Sequence, residues 1–411
     1  MKKMMICLTI LIGLLCLLSF VSGCKDSTTK PEILEGEPEP GVITMVTTAD
    51  EVQLRAFGKG EMHVSIEWEN ETPDSVVTEW VVSLTEYGKV FPIPSFQFPI
   101  SFAEGIITIK GYITHFDCRE NKLTHLDVNG MPSLLELKTV GNSLTVLDVS
   151  GIPSLLNLNI AANYLTVLDL SKNTSLERLD CSYNLLRNLD LTYNTVLESL
   201  RCQSNQLVRL NISNNKNLNY LSCIWNQLTS LDVSNNPNLE ILICWSNPLG
   251  NLDLSNNTLL EALWADGIQL KHIDLSFNTK LGLLSVGGNQ LENLDLSNNT
   301  KLMFLWLDRN NFKMLDLSNN PMVSRLAIEY NQLDTDALND IFNTLPKIIH
   351  RSRGLNDDGD IRIWGNPGEE ECDTSIAEAK GWKFQHKVTR YTEHDIDEFI
   401  EKYINNIWRN Q

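Results

Sequence analysis

Two side-chain types recur at a fixed interval in this chain and could do chemistry. Cys118, Cys181, Cys202, Cys223 and Cys244 are spaced by multiples of 21 residues. Asp148, Asp169, Asp190, Asp232, Asp253, Asp274, Asp295 and Asp316 follow the same step, with Asn211 in the gap. Converging thiolates hold zinc, and stacked carboxylates can hold calcium. The cysteine column, however, is filled elsewhere by Thr139, Ile160, Ala265, Val286, Leu307 and Ile328. Occupants that interchange with Val and Ile are small core hydrophobes, and a straight column does not converge on one ion. The aspartates have two possible uses. A calcium ladder would want several oxygens per turn and glycine-rich turns, which are missing; the plainer use is that each Asp, with the following Ser, bonds nearby backbone.

Other catalytic signatures are absent. The histidines at 63, 115, 125, 272, 350, 386 and 394 are scattered, and none forms H-E-x-x-H. No Ser sits in G-x-S-x-G and no Gly-rich phosphate loop is present. The expectation is a protein without enzymatic activity, cofactor or metal. With 33 Lys+Arg against 52 Asp+Glu, the net charge of −19 argues against nucleic acid, because phosphate binding needs clustered cations.

The first residues set the compartment. Lys2 and Lys3 precede an apolar run to about Phe20, and Val21-Ser22-Gly23-Cys24 follows. This reads as a secretory signal over 1–23, and Cys after Ser-Gly resembles the lipobox of bacterial lipoproteins. That resemblance implies cleavage before Cys24, lipidation on it and stable anchoring at an outer membrane, exposed at the cell surface. Residues 24–41 are Pro-, Glu- and Ser/Thr-rich and read as a disordered tether.

The interval organises the rest. Rows of 21 residues open on Leu137, Leu158, Leu179, Leu200, Leu221, Leu242, Leu263, Leu284, Leu305 and Leu326, with a degenerate row from Phe116. The common row is L-x-C-x-x-N-x-L-x-x-L-D-L-S-x-N-x-x-L-x-x. A fixed period of this kind resembles leucine-rich repeats, most closely the cysteine-containing repeats of internalin-like surface proteins. The resemblance implies a mainly β, right-handed solenoid over 113–345. One coil cannot bury its own leucines, but stacked coils can. The Asn at 142, 163, 184, 205, 226, 247, 289, 310 and 331 falls at one inward turn, where its amide can bond the neighbouring coil. Ile268 breaks this column, and local softness is expected there.

The flanks differ. Residues 42–112 alternate apolar and polar in segments such as VITMVTT and GIITIKGYI and read as a small β-sandwich. VSIEWENETPDS resembles the strand and turn of PKD-like domains, with Glu69-Asn70-Glu71-Thr72 replacing the usual W-G-D-G-T. Residues 346–390 read as an α/β cap, similar to that of Bacteroides-type repeat lipoproteins, and IRIWGNPG and GWKFQHKV as its strands. Over 391–411, Ile396, Phe399, Ile400, Tyr403, Ile404, Ile407 and Trp408 share one helical face, giving an amphipathic helix that packs on the cap or docks a partner.

In leucine-rich repeats, the residues between the inward leucines of the strand line the concave face and carry binding. Here those columns hold Tyr183, Tyr220, Ile224, Trp225, Ile243, Trp245, Trp264, Phe304, Trp306 and Tyr330. Lys138, Asn159, Asp180 and Arg201 occupy the position of Trp264 in earlier rows. An exposed aromatic patch of this kind marks an interaction site. Its expected rim is Arg201, Asp266, Asp308, Arg309 and Glu329. The partner is expected to be a protein, with a glycan as the alternative. If the L-D-L-S half of each row lined that face instead, the binding surface would be the Asp/Ser column.

Overall fold

The computed structural model describes residues 41–47, 51–52, 54–68, 78–84, 96–97, 105–348 and 359–385. The expected signal, Cys24, the tether up to residue 40 and the terminal segment 391–411 lie outside them.

Six strands precede the repeats: β1 (Gly41–Thr47), β2 (Glu51–Val52), β3 (Arg55–Trp68), β4 (Thr78–Leu84), β5 (Phe96–Gln97) and β6 (Gly105–Asp117). Strands β4, β3, β6 and β1 pair antiparallel in that order, and β2 pairs with β5 apart from them. β1 also pairs antiparallel with β7 (Leu123–Asp127). The end of β6 is the first rung of the solenoid: Phe116 stands in parallel register with Leu137 on β8 (Glu136–Lys138). The boundary read at 112 therefore falls inside a strand.

From β8 the sheet adds one three-residue strand per coil. These are β9 (Asn157–Asn159), β10 (Arg178–Asp180), β11 (Ser199–Arg201), β12 (Tyr220–Ser222), β13 (Ile241–Ile243), β14 (Ala262–Trp264), β15 (Leu283–Ser285), β16 (Phe304–Trp306) and β17 (Arg325–Ala327). All pair in parallel, with the row-opening leucines in register. The sheet is thus built from the first part of each row, and the L-D-L-S part forms turns. Alternation along a strand sends the central Leu inward and its two neighbours to the opposite face. The inward leucines, the cysteine column and the later leucines of each row merge into one continuous core.

Two asparagine ladders tie the coils together. Asn205 Oδ1 accepts from Leu186 N at 3.0 Å, and its Nδ2 donates to Cys181 O at 3.0 Å and Cys202 O at 3.2 Å. Each such residue satisfies carbonyls and an amide that no strand partner reaches, in its own coil and the one before. The second ladder, Asn173, Asn194, Asn215, Asn236, Asn257, Asn278, Asn299 and Asn320, is fully buried. Asn236 Nδ2, for example, donates to Ile212 O at 3.1 Å and Asn215 O at 2.8 Å. At the Ile268 break, Leu249 N turns to Asn247 O at 3.0 Å and Gly250 N donates to Ile268 O at 2.8 Å. Gly250 adopts φ +69°, a backbone that glycine tolerates, so Leu249 N is satisfied within its own turn and Gly250 N by the next coil.

The cap extends the same sheet. After α1 (Thr335–Thr344), started by the Asp334 side chain accepting from Ala337 N at 2.9 Å, β18 (Asp360–Arg362) pairs in parallel with β17. α2 (Ser375–Glu378) leads to β19 (Lys383–Phe384) on the outer edge of β18. Lys380 Nζ donates to Phe342 O, Asn343 O and Leu345 O at 3.0, 2.6 and 2.8 Å, binding the carbonyl end of α1. Trp382 is buried and its Nε1 donates to Pro346 O at 2.8 Å.

Candidate functional site

On the outer face of the sheet, two columns change character along the solenoid. One runs Tyr220, Ile241, Ala262, Leu283, Phe304 and Arg325; the other runs Ser222, Ile243, Trp264, Ser285, Trp306 and Ala327. Trp264 sits between Ile243 and the small Ser285, and Trp306 between the small Ser285 and Ala327. Phe304 and Trp306 stack with centroids 6.0 Å apart and planes 10° off parallel, and the Arg325 guanidinium lies 5.6 Å from the Phe304 ring.

These residues are not open to solvent, which corrects the expectation of an exposed patch. Ile224, Ile243, Trp264, Phe304 and Trp306 are buried, the two tryptophans at 5% and 7% exposure. With Ile241, Ala262, Leu283 and Ala327 they form a second apolar cluster, distinct from the leucine core, against which Tyr220, Trp245 and Met303 pack half-buried. Strands about 4.8 Å apart bring consecutive side chains into contact along each column. The sequence could not show this, because outward alternation predicts direction and not what lies beyond.

Three accessible aromatics share one edge, apart from Tyr164, Tyr193 and Phe277, which are exposed elsewhere. Tyr183, Trp225 and Tyr330 are exposed, Trp225 at 53%. They share a turn position with Gly267, Gly288, Ser204, Ser246 and Arg309, and all of these have φ between +49° and +63°. Left-handed backbone is free for glycine and costs about 1–2 kcal/mol for other residues. The opposed character of Ile224 and Trp225 follows: the first closes the strand into the buried cluster, the second rides an outward left-handed turn. Trp225 meets Trp245 edge-to-face at 5.5 Å. Arg309 lies 5.2 Å from the Tyr330 ring, which also faces Trp364 at 6.4 Å. Arg201 stacks 4.8 Å over Tyr220.

The acidic side chains beside this edge are engaged internally. Asp266, Gly287, Asp308 and Glu329 occupy one position in four successive coils. Asp266 Oδ1 accepts from Ser285 Oγ at 2.7 Å and Gly287 N at 2.9 Å. Burial raises its carboxyl to about 7, with the Asp308 charge adding to the rise. Glu329 was expected on the rim but is buried, 3.3 Å from Arg362; desolvation raises it to about 7 against the pull of that guanidinium. Asp308 pairs with Arg309 at 2.8 Å.

Neither repeated column is arranged for metal chemistry. In the Asp column each Oδ1 accepts from the backbone N–H two residues on, as in Asp253 to Ser255 at 3.0 Å and Asp316 to Ser318 at 2.8 Å. Those hydrogen bonds hold the carboxyls below their usual range. The five column cysteines are buried free thiols, and burial pushes Cys118 and Cys223 up to about 12. No group of three or more His, Cys, Asp or Glu suited to a metal ion occurs among the described residues.

Sequence reasoning missed two features. The second asparagine ladder was visible as the recurring Asn of S-x-N. The other is that IRIWGNPG is itself a repeat row: Asn366 lies five residues after Ile361, as Asn331 does after Leu326. Its Oδ1 accepts from Asn331 N and Leu333 N, both at 3.2 Å.

Comparison with known proteins places the fold. The functional domain of InlJ from Listeria monocytogenes, described as including a cysteine ladder, is 30% identical over 61% of this chain and 63% of that one, with a TM-score of 0.45. The chain thus spans less than two thirds of that structure. A leucine-rich repeat protein of Leptospira interrogans is 21% identical over 66% of this chain and 83% of the other, with a TM-score of 0.52. YopM, a leucine-rich effector protein from Yersinia pestis, is 20% identical over 66% and 89%, with a TM-score of 0.45. No family model and no curated protein matches the sequence. The Leptospira match and the 21-residue register agree: the chain is a mainly β leucine-rich repeat solenoid.

Proposed function

We propose that this chain is a non-catalytic binding module that recognises a protein partner through the outer face and left-handed edge of its repeat sheet. One observation carries the reading. Tyr183, Trp225, Arg309 and Tyr330 occupy a turn position that other rows give to glycine, and Tyr183, Trp225 and Tyr330 stay exposed. Retained strain at solvent-facing aromatics serves contact better than stability. The lipobox reading of Cys24 supplies the location: an outer-membrane lipoprotein displaying the solenoid at the cell surface. The N-terminal strands and the α/β cap then serve as the ends a solenoid requires.

A protein suits the surface better than a glycan. Asp266 and Asp308 would be the acceptors for sugar hydroxyls, but Asp266 already holds Ser285 and Gly287, and Asp308 holds Arg309. The soluble chain from Lys25, screened on a combined protein and glycan array beside a variant with Trp225→Ala and Trp245→Ala, tests this. A protein ligand lost by the variant supports the reading. A glycan ligand, or one that the variant keeps, overturns it.

A further inference from the structure

The left-handed edge repeats one arrangement, once with an arginine and once with a serine. At the far end Arg309 stands one coil before Tyr330 in the same turn position, and its guanidinium lies 5.2 Å from the Tyr330 ring. Nearer the start, Ser204 stands one coil before Trp225 in that position and brings only a hydroxyl. Tyr183 stands one coil before Ser204. The three turns are stacked in register: Tyr183 N donates to Gln203 O and Ser204 N to Ile224 O, each at 2.9 Å. Two large rings, exposed at 45% and 53%, therefore flank one small residue.

The floor of this notch carries unused acceptors. Gln203 is 5% exposed, and neither its Oε1 nor the neighbouring Ser204 Oγ has a hydrogen-bond partner, although both atoms are closed to solvent. The adjoining coils do not serve them: Ser182 spends its hydroxyl on Asp180 Oδ1 at 2.5 Å, and Ile224 is apolar. The second asparagine ladder also leaves Oδ1 atoms unpartnered, but singly, one per coil, whereas Gln203 and Ser204 are adjacent. A buried polar atom without a partner costs stability, so two side by side mark a place for a donor from outside the chain.

We propose that the notch over Ser204, between Tyr183 and Trp225, binds an arginine side chain of the protein partner, which deepens the protein-binding reading on which it rests. A guanidinium is planar, stacks on aromatic faces and carries several donors, which suits ring walls over two acceptors. An ammonium has no flat face, and a carboxylate would face the Gln203 oxygen in a chain of net charge −19. Tyr183 and Trp225 lie two strand spacings apart, about 9.6 Å, and a flat group stacked on both sides needs about 7–8 Å, so the rings lean in by roughly 1 Å each. Both rings are exposed, and exposed side chains change rotamer within nanoseconds, so entry takes a swing of the rings and no movement of the coils.

The soluble chain from Lys25, isotope-labelled in its tryptophan indoles and glutamine carboxamides, is titrated with the blocked tripeptide acetyl-Gly-Arg-Gly-amide. Saturable NMR shifts of the Trp225 indole and the Gln203 carboxamide are expected, with about tenfold weaker binding of the corresponding Lys tripeptide and none of methyl glucoside. Gln203→Leu should weaken the arginine peptide about tenfold while melting no lower than the parent, because its oxygen bonds nothing in the free chain. Ser204→Arg copies the Arg309 arrangement on a backbone that accepts arginine there, and should fill the notch and abolish binding. No shift with the arginine peptide, equal binding of the lysine peptide, or a preference for the glucoside would each overturn the proposal. So would full binding by Ser204→Arg, or a Gln203→Leu chain that melts markedly lower. The two readings fail separately. A protein from the array whose binding survives both Gln203→Leu and Ser204→Arg defeats the notch and leaves the binding reading. An array without a protein ligand defeats the binding reading, and the tripeptide titration still decides the notch.

Discussion

Asn366 Oδ1 accepts the backbone N–H of Asn331, 35 positions earlier in the chain, at 3.2 Å. The same side chain donates to Ile328 O at 2.9 Å, so the ladder that runs coil to coil through the repeats resumes in the cap after α1. Asn366→Ala should cost about 1–3 kcal/mol for the buried groups it leaves unpaired. The check is amide hydrogen exchange: Asn331 and Leu333 should exchange faster in the variant, while amides of β9 to β12 stay protected. Equal protection at Asn331 would mean that the cap is held by other contacts.

Two carboxyls, the buried Glu329 and the half-buried Asp266, make stability depend on pH up to about neutrality. Asp266 and Glu329 both lie near 7, raised by burial from ordinary values of 3.8 and 4.5. A raised folded-state value means that the native protein holds more protons than the unfolded chain between those limits, so stability falls as pH rises through about 7. The melting temperature should therefore be higher at pH 5.5 than at pH 8. Asp266→Asn combined with Glu329→Gln should flatten that slope. The Asp column contributes the opposite sign at lower pH, because its lowered carboxyls lose their turn bonds on protonation below about 4.

Added calcium should leave the melting curve unchanged at millimolar concentration. Each column Asp spends an oxygen on a backbone N–H, as Asp295 does on Ser297 at 2.9 Å, and successive carboxylates belong to separate turns. An upward shift in melting temperature that saturates with calcium, and disappears in Asp253→Asn with Asp274→Asn, would revive the ladder.

The thiols should sort by burial. In the native soluble form, Cys372 is half-buried and should react first with a thiol reagent at pH 8, while Cys118, Cys181, Cys202, Cys223 and Cys244 wait for unfolding. Cys202→Val should be close to neutral, since Val286 fills the same column in another coil. Cys202→Asp should unfold the central coils by burying a charge without a partner.

Ile224 and Trp225 should respond in opposite ways. Trp225→Gly replaces an exposed ring at φ +49° with the residue that such backbone favours, so stability should change by less than about 1 kcal/mol, in either direction. Ile224→Ala removes buried apolar volume and should cost about 2–5 kcal/mol. Urea unfolding of both variants separates them, and a large loss in Trp225→Gly would assign that tryptophan to packing.

The repeat was legible from the sequence because each coil meets only its neighbours. A 21-residue step in Leu, Cys, Asn and Asp dictates the same inward column in every row, and local alternation then fixes which residues point in or out. The leucine core, the thiol column and the first asparagine ladder follow from that step alone. What the step could not determine is what one part of the chain does to a distant part. Asn366 rejoins the ladder only because α1 and its loop fold beside the last coil. Ile243, Trp264, Phe304 and Trp306 point outward as the alternation requires, yet they are buried in a second apolar cluster with Tyr220, Trp245 and Met303 packed against it, which the register beneath does not specify. Periodicity determined direction; tertiary contact decided exposure, and with it which part of the aromatic face is open to a partner.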